Sequence, residues 1–204
     1  MSLASYTDLL ASVASWMNRT DLNSVIPDFV TIAESRIARD LRLRNQITSG
    51  TLTTSTTTRA VALPSGFLEF ASLNIDGTPA TVLQYVTTEH LDAKYPEDGY
   101  SAKPFVYSIE GTNVLFGPLP DAAYTVNVEY YARFDALASS STNWLLTNHP
   151  NVYLSACLAQ GCLFTMNQEG AAQWNAVYRS EVAELQRDDE RGSHSGSVLR
   201  VKQG

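Results

Sequence analysis

The stretch from Ile26 to Arg44 constrains the fold more than any other part of the chain. At about 100° per residue, its apolar side chains fall within roughly a third of a helical circumference, which predicts an amphipathic helix. Pro27 and Asp28 suit the first turn, where a missing N–H costs nothing and a negative charge is favoured. This helix has one face that must pack against other elements: Ile26, Phe29, Val30, Ala33, Ile37 and Leu41.

Arginines occupy the rest of the same helix. Arg36, Arg39 and Arg42 lie outside the apolar arc, and Asp40 lies at its edge, four residues after Arg36 and four before Arg44. A half-buried carboxylate at Asp40 would need arginine partners. The arginine face is therefore either a solvated surface or a contact with another subunit or partner.

Four further helices are predicted, one of them a short helix from Thr88 to Lys94 that ends before Pro96. The first runs from Tyr6 to Asn18, with Leu9, Val13, Trp16 and Met17 as its apolar stripe. A helix capped by Asn148 is apolar nearly all round, through Leu163 and Phe164, which is typical of a central, buried helix. The last helix spans 169–187 and has Trp174, Val177, Tyr178, Val182 and Leu185 as its stripe.

The acidic run at the end of this last helix is unusual. Asp188, Asp189 and Glu190 stand where the helix dipole favours cations. Either the helix frays there or these acids meet a basic partner.

Between the helical segments the pattern changes to strands. Asp76-Gly77 lies between two β-rich runs and is a strong hairpin signal, and Tyr124–Tyr131 alternates apolar and polar residues. Short strands, about seven in all, predict a small antiparallel sandwich or barrel. The fold class is α+β, with a discontinuous helical bundle (1–46 and 135–191), an inserted β domain (47–134) and a flexible tail (192–204).

Charge argues against a dedicated DNA-binding protein. The net charge is −7, and residues 50–150 carry four Lys or Arg against ten Asp or Glu. Affinity for DNA depends on basic side chains that release counterions from phosphate. An acidic wall still suits a channel through which DNA slides without sticking. Neither a signal peptide nor an apolar run long enough to span a membrane is evident, so we expect a soluble protein that is not exported.

The motif search provides no basis for catalysis, a cofactor or a metal. The sequence lacks the common nucleotide-binding, hydrolase and zinc motifs. Cys157 and Cys162 are predicted to be buried free thiols, and the histidines have no ligand-spaced neighbours. We expect a protein that is not an enzyme.

The C-terminal segment ends in a short apolar and basic strip after a Gly/Ser linker. It is either a disordered tail or a segment that adds onto a partner as a strand. The candidate docking residues are Val198, Leu199, Arg200, Val201 and Lys202.

Four segments in order carry a resemblance to a known family. They are V-I-P-D-F-V-T-I-A-E-S-R-I-A-R-D-L-R, G-T-L-T-T, A-V-A-L-P-S-G-F-L-E and F-G-P-L-P-D-A-A-Y-T-V-N-V-E-Y-Y-A-R. Together with the order of elements from Tyr6 to Arg187, they resemble the head-to-tail adaptor proteins of short-tailed bacteriophages.

The resemblance implies a structural virion protein at the head–tail junction, made in the bacterial host cytoplasm. Such adaptors form a ring, a dodecamer, beneath the portal protein. The ring extends the channel for DNA ejection, through which double-stranded DNA passes without specific binding, and it holds the tail nozzle and fibre proteins. The C-terminal tail would dock on the portal. We expect one subunit contact to join Arg36, Arg39 and Arg42 to Asp188, Asp189 or Glu190 of a neighbour, because a head-to-tail ring needs two different complementary patches.

The alternative is a binding module from a different class of protein. In that reading the β insertion would bind a carbohydrate or a receptor through exposed aromatic side chains. The candidates are Tyr85, Tyr95, Tyr100 and Tyr107.

Overall fold

The computed structural model describes residues 3–96 and 99–194. The chain divides into two compact units, one formed by the chain up to Asn45 together with the chain from Phe134 onward, and the other by Gln46–Arg133. The α+β class is confirmed, with helices at both ends of the chain and two four-stranded sheets between them. None of the helices within the described residues is long and apolar enough to cross a membrane.

The first unit, here called the helical unit, is built around one buried helix. Its elements are α1 (Tyr6–Met17), α2 (Ile26–Asp40), α4 (Leu137–Ser140), α5 (Trp144–Asn148), α6 (Pro150–Phe164) and α7 (Gln168–His194). Every residue of α6 from Val152 to Ala159 is buried. This agrees with its all-round apolar sequence, and α1, α2, α5 and α7 all pack against it.

The N-terminal hairpin begins as its sequence predicts. The Ser5 hydroxyl accepts a hydrogen bond from the Asp8 N–H and caps α1. Pro27 occupies the first turn of α2. At the other end, α2 stops at Asp40 rather than Arg44, because the chain becomes extended at Leu41 and buries both Leu41 and Leu43. Two leucines spaced by two residues share a side only in an extended chain, so a period-2 pattern prevails there.

The C-terminal helices differ from expectation in two places. The short helices α4 and α5 precede α6, and Asn143 caps α5, so Asn148 is the last residue of α5 rather than the predicted cap of α6. The helix α7 continues to His194, so its acidic residues are not at its end. The prediction that the helix ends at Arg187 and that the tail begins at residue 192 is wrong for residues 188–194.

The second unit, here called the β unit, is a two-sheet sandwich. Its strands are β1 (Ile47–Thr53), β2 (Ala60–Ala62), β3 (Phe67–Ile75), β4 (Thr81–Val82), β5 (Gln84–Tyr85), β6 (Val106–Glu110), β7 (Asn113–Gly117) and β8 (Thr125–Ala132), with helix α3 (Thr88–Lys94) between β5 and β6. The first sheet has the order β1-β8-β3-β4 and the second β2-β7-β6-β5. About seven strands were predicted, and the residues that the structure describes form eight.

The extra strand arises where the chain changes sheets. Thr81 pairs with Ile75 in the antiparallel β3–β4 ladder, whereas Gln84 pairs with Val106 in a parallel ladder with β6. The buried Leu83 lies between the two. The sequence run Ala80–Val86 therefore forms two short strands rather than one.

The core of the β unit lies between the sheets. The strand β8 alternates as predicted, with Val126, Val128 and Tyr130 buried. These side chains form one apolar cluster with Leu73 and Ile75 of the first sheet and with Val114 and Phe116 of the second. On its other face, the second sheet is covered by α3, where Leu91 and Tyr95 pack on Val106 and Leu115.

Replacing Leu158 by alanine should lower the free energy of unfolding of the helical unit by about 2–5 kcal/mol, because it leaves a cavity in the core. Leu158 is 1% exposed, whereas Leu163 on the same helix is 51% exposed. Leu163→Ala is the matched control and should change the value by less than about 0.5 kcal/mol. Denaturant unfolding followed by tryptophan fluorescence measures both variants, since Trp16, Trp144 and Trp174 all lie in this unit. Equal effects of the two substitutions would contradict the placement of α6.

Candidate assembly surfaces of the helical unit

Arg36 joins α2 to α7 within one chain. Its guanidinium donates to the Asn175 side chain at 2.5 Å and lies 4.0 Å from the centre of the Tyr178 ring. Its Nε is 3.6 Å from an Asp40 carboxylate oxygen, and the Tyr178 hydroxyl donates to that same oxygen at 2.9 Å. Asp40 thus has the arginine partner that its place on the helix required. Arg36 is largely enclosed and acts as an internal contact.

Arg44 forms the second link between these segments. Its Nε donates to the Asp189 carboxylate at 2.9 Å, and its backbone N–H points to the same group. The Gly192 backbone packs directly against the Arg44 guanidinium. From the sequence, Arg44 was expected to pair with Asp40, but in the structure it pairs with Asp189. This bridge gives the acidic segment a basic partner within the same chain, which favours continuation of the helix through it.

The other candidate interface residues differ in exposure. Arg39 is exposed on α2, and Asp188 and Glu190 are exposed on α7. Arg42 is half-buried and lies just beyond α2, where its side chain donates to the carbonyl oxygens of Ala38, in the last turn of that helix, and of Leu41, which follows it. The structure therefore leaves Arg39 and Asp188 as the oppositely charged residues best placed to meet another molecule.

The proposed docking tail lies outside the described residues. This applies to Val198, Leu199, Arg200, Val201 and Lys202. The described chain reaches His194 at the end of α7, four residues before Val198 in the sequence.

The four tyrosines suggested for a carbohydrate site do not share one kind of environment. Tyr85 and Tyr100 are exposed, but Tyr95 is only 7% exposed and belongs to the cluster beneath α3. Tyr107 is half-buried, with its ring 5.7 Å from that of Tyr85 and 5.7 Å from that of Phe70. Tyr95 was expected at the surface, and that prediction is wrong because its ring completes the packing of α3.

Ionisable groups in the helical core are held neutral by burial. Burial raises the pKa of the Cys157 thiol, which makes it an inert core residue. Cys162 is half-buried, and its pKa is raised by the same cause. Within residues 3–96 and 99–194, no group of three or more His, Cys, Asp or Glu side chains is placed to hold a metal ion.

Sequence reasoning missed an apolar surface at the turn between α6 and α7. Leu163 and Phe164 were assigned to the buried helix, and Trp16 and Val177 to apolar stripes, yet all four are exposed. Met166 in the turn is 89% exposed. An apolar pattern identifies side chains that gain from burial. It does not tell whether they are buried by the same chain or by another molecule. A signal was nevertheless present, since Met166 lies between the two helices and outside either stripe.

Replacing Tyr178 by phenylalanine should lower the free energy of unfolding of the helical unit by about 1–2 kcal/mol at neutral pH, because the hydrogen bond to the Asp40 carboxylate is lost. Tyr85→Phe, at an exposed tyrosine, is the control and should stay within about 0.5 kcal/mol of the wild type. Urea unfolding at pH 7 measures the difference. An equal effect of the two substitutions would show that this hydrogen bond contributes no stability.

The same variant should change the response to alkaline pH. Burial, and then the hydrogen bond and charge of Asp40, raise the pKa of Tyr178, and burial also raises that of Tyr153. The unfolded chain ionises its tyrosines near pH 10, while the folded chain keeps these two neutral. Their stability contribution is therefore complete below about pH 10 and declines as the pH rises further. Tyr178→Phe should make that decline shallower, and an unchanged slope would contradict this account.

The comparison with known families covers nearly the whole chain. The model of the SU10 adaptor protein family matches residues 4–201. No curated protein matches the sequence. The matched range includes both helical segments and the β unit between them, which agrees with the resemblance drawn from the sequence. The chain therefore belongs to the SU10 adaptor protein family and is a phage head–tail adaptor, a structural protein of the virion.

Proposed function

We propose that this chain is the subunit of a ring that joins the portal vertex to the tail of a short-tailed phage and extends the channel for DNA. The observation that carries the proposal is the match of the adaptor family over residues 4–201. A protein at this junction must bind the portal above it, and it must hold the tail nozzle and fibre proteins below it. Both jobs depend on surfaces rather than on an active site.

The proposed assembly is a dodecamer at the head–tail junction of the virion. Its subunits would be made in the host cytoplasm and would join the portal after DNA is packaged. The net charge of −7 supports a passive channel, because an acidic surface repels phosphate and lets double-stranded DNA pass without specific binding.

Portal docking is assigned to the C-terminal segment. Leu199 and Val201 alternate with the basic Arg200 and Lys202, a pattern that suits strand addition, in which backbone hydrogen bonds provide affinity. The helix α7 delivers the chain to this segment, and the Asp189–Arg44 bridge anchors the last turns of that helix. Arg200 and Lys202 would give this strip a positive charge.

The purified chain should form a complex of fixed stoichiometry with the portal protein encoded beside it, as measured by multi-angle light scattering. Deleting residues 195–204, beyond the end of α7, should abolish the complex and leave the thermal unfolding midpoint of the chain unchanged. A full-length variant with Val198→Ser, Leu199→Ser and Val201→Ser is the matched control for length and charge, and it should also fail to bind. A wild-type chain that ignores the portal would overturn the proposed function. Normal portal binding by the deletion variant would show that the C-terminal segment is not the docking site.

One contact between subunits is assigned to Arg39 and Asp188. Arg36 on α2 and Arg42 just after it make contacts inside their own chain, whereas Arg39 on α2 is exposed. Asp188 pairs with Arg191 only at a highly exposed site, where an ion pair contributes little and can be exchanged for another. Arg39 of one subunit can therefore meet Asp188 of the next without breaking the α2–α7 contacts.

Reversing the charge of Arg39 with Arg39→Glu should weaken ring formation several-fold, because it places two negative charges together at the contact. Combining it with Asp188→Arg in the same chain should restore assembly. Arg133→Glu, at another exposed arginine, is the control and should assemble normally. Sedimentation velocity at moderate salt measures ring formation. Failure of the double variant to recover would count against this pairing and would leave the portal experiment untouched.

A further inference from the structure

The last two turns of α7 have a sequence that disfavours a helix. Asp188, Asp189 and Glu190 lie toward the negative end of the helix dipole, where anionic side chains are destabilising. Gly192 follows them, and glycine inside a helix is among the least favourable residues. The helix nevertheless continues to His194. Contacts with another part of the chain must therefore hold this segment in place.

Apolar packing does not supply these contacts. Leu185 is the last buried apolar residue of α7 in the part of the chain that the structure describes. Among residues 186–192, Asp189 and Gly192 are half-buried and the others are exposed. The apolar stripe of α7 thus ends about two and a half turns before the helix does. Polar contacts have to stabilise these turns instead.

Arg44, which follows α2 in the chain, provides such a contact. Its Nε donates to the Asp189 carboxylate at 2.9 Å, and its guanidinium packs against the Gly192 backbone, nearly one turn further along the helix. The Asp189 side chain is 19% exposed, so this pair is better shielded from water than the Asp188–Arg191 pair, whose side chains are 71% and 79% exposed. Arg44 therefore joins the last two turns and brings a cation to the negative end of the helix.

The glycine at position 192 allows this contact. A Cβ there would overlap the guanidinium, and the three nearest atoms that it would meet all belong to Arg44. The backbone of Gly192 is helical, so its conformation does not itself require glycine. The residue that weakens the helix by its own propensity is thus the one that admits the side chain that stabilises it.

We infer that Arg44 is a positioning residue for portal docking. By keeping α7 helical to His194, it fixes the point from which the docking residues start, three residues before Val198. The inference rests on the proposed function, in which residues 198–202 bind the portal. Without Arg44, residues 188–194 would unwind from a rigid rod of about 10 Å and become part of a longer tether. Docking would then order more of the chain or begin at a lower effective concentration, and both effects weaken binding.

Hydrogen exchange followed by mass spectrometry tests the contact in the full-length chain. Arg44→Gln should speed the exchange of the amides of residues 188–194 by about fivefold or more and leave those of residues 169–182 unchanged. Arg179→Gln removes the same charge at an exposed arginine of α7 and is the control, which should exchange like the wild type. Exchange that Arg44→Gln leaves unchanged would overturn the inference.

Alanine at position 192 separates helix propensity from the arginine contact. In the Arg44→Gln background, Gly192→Ala meets no guanidinium and should slow the exchange of the same amides several-fold, because alanine favours a helix. In the wild-type background the same substitution displaces Arg44, so no such gain should appear. Equal slowing in both backgrounds would contradict the role assigned to the glycine.

Portal affinity tests the positioning role, with biolayer interferometry on immobilised portal protein as the measurement. Arg44→Gln should bind about three- to tenfold more weakly than the wild type and the Arg179→Gln control. The double variant with Gly192→Ala should recover affinity, because it restores the helix without restoring the Arg44 contact. Unchanged affinity in Arg44→Gln, or no recovery in the double variant, would overturn the positioning role and leave the proposed function intact. A wild-type chain that ignores the portal would overturn both, while the exchange rates would still decide whether Arg44 holds the helix end.

Discussion

The need to cover α6 determines the rest of the helical unit. This helix is apolar on all its sides and is buried without interruption from Val152 to Ala159. A single neighbouring helix covers only one stripe of such a surface, so several helices must surround it. The N-terminal hairpin supplies α1 and α2, and the C-terminal part of the chain supplies α5 and α7. Two distant parts of the sequence must therefore meet, and the strands between them form an insertion with a core of its own.

Polar contacts then fix α7 on α2 within the helical unit. The main network joins Arg36, Asp40 and Tyr178. The Arg36 guanidinium stacks on the Tyr178 ring and pairs with the Asp40 carboxylate, and the Tyr178 hydroxyl donates a hydrogen bond to that carboxylate. The Arg44–Asp189 bridge extends this link toward the end of α7. Most of these polar and charged groups are therefore paired within the chain. They leave Arg39, Asp188 and the apolar side chains of the turn between α6 and α7 at the surface.

Much of this architecture was predictable from local patterns. The start of α1, the start of α2, the alternation in β8 and the central position of α6 all follow from periodicity and capping. The errors lie where a pattern could be satisfied in more than one way. Leu41-Arg42-Leu43 fits either the end of a helix or an extended chain, and Ala80–Val86 fits one strand or two. The core decides both, because it accepts Leu41 and Leu43 from the same side and takes Leu83 between two ladders.

The candidate surfaces show the same division. Sequence reasoning placed Asp40 beside an arginine and left the use of the other arginines open, since spacing along one helix does not identify what packs against it. It also assigned Leu163 and Phe164 to the core, because hydrophobicity reports the gain from burial but not its location.

By itself, the sequence determined the class of fold, the discontinuous helical segments and the family, because these depend on local periodicity and on the order of motifs. Only the tertiary structure decided which charged side chains are paired within the chain and which apolar side chains remain exposed. Those outcomes depend on which elements pack together, and packing is a property of distant residues that no local pattern contains.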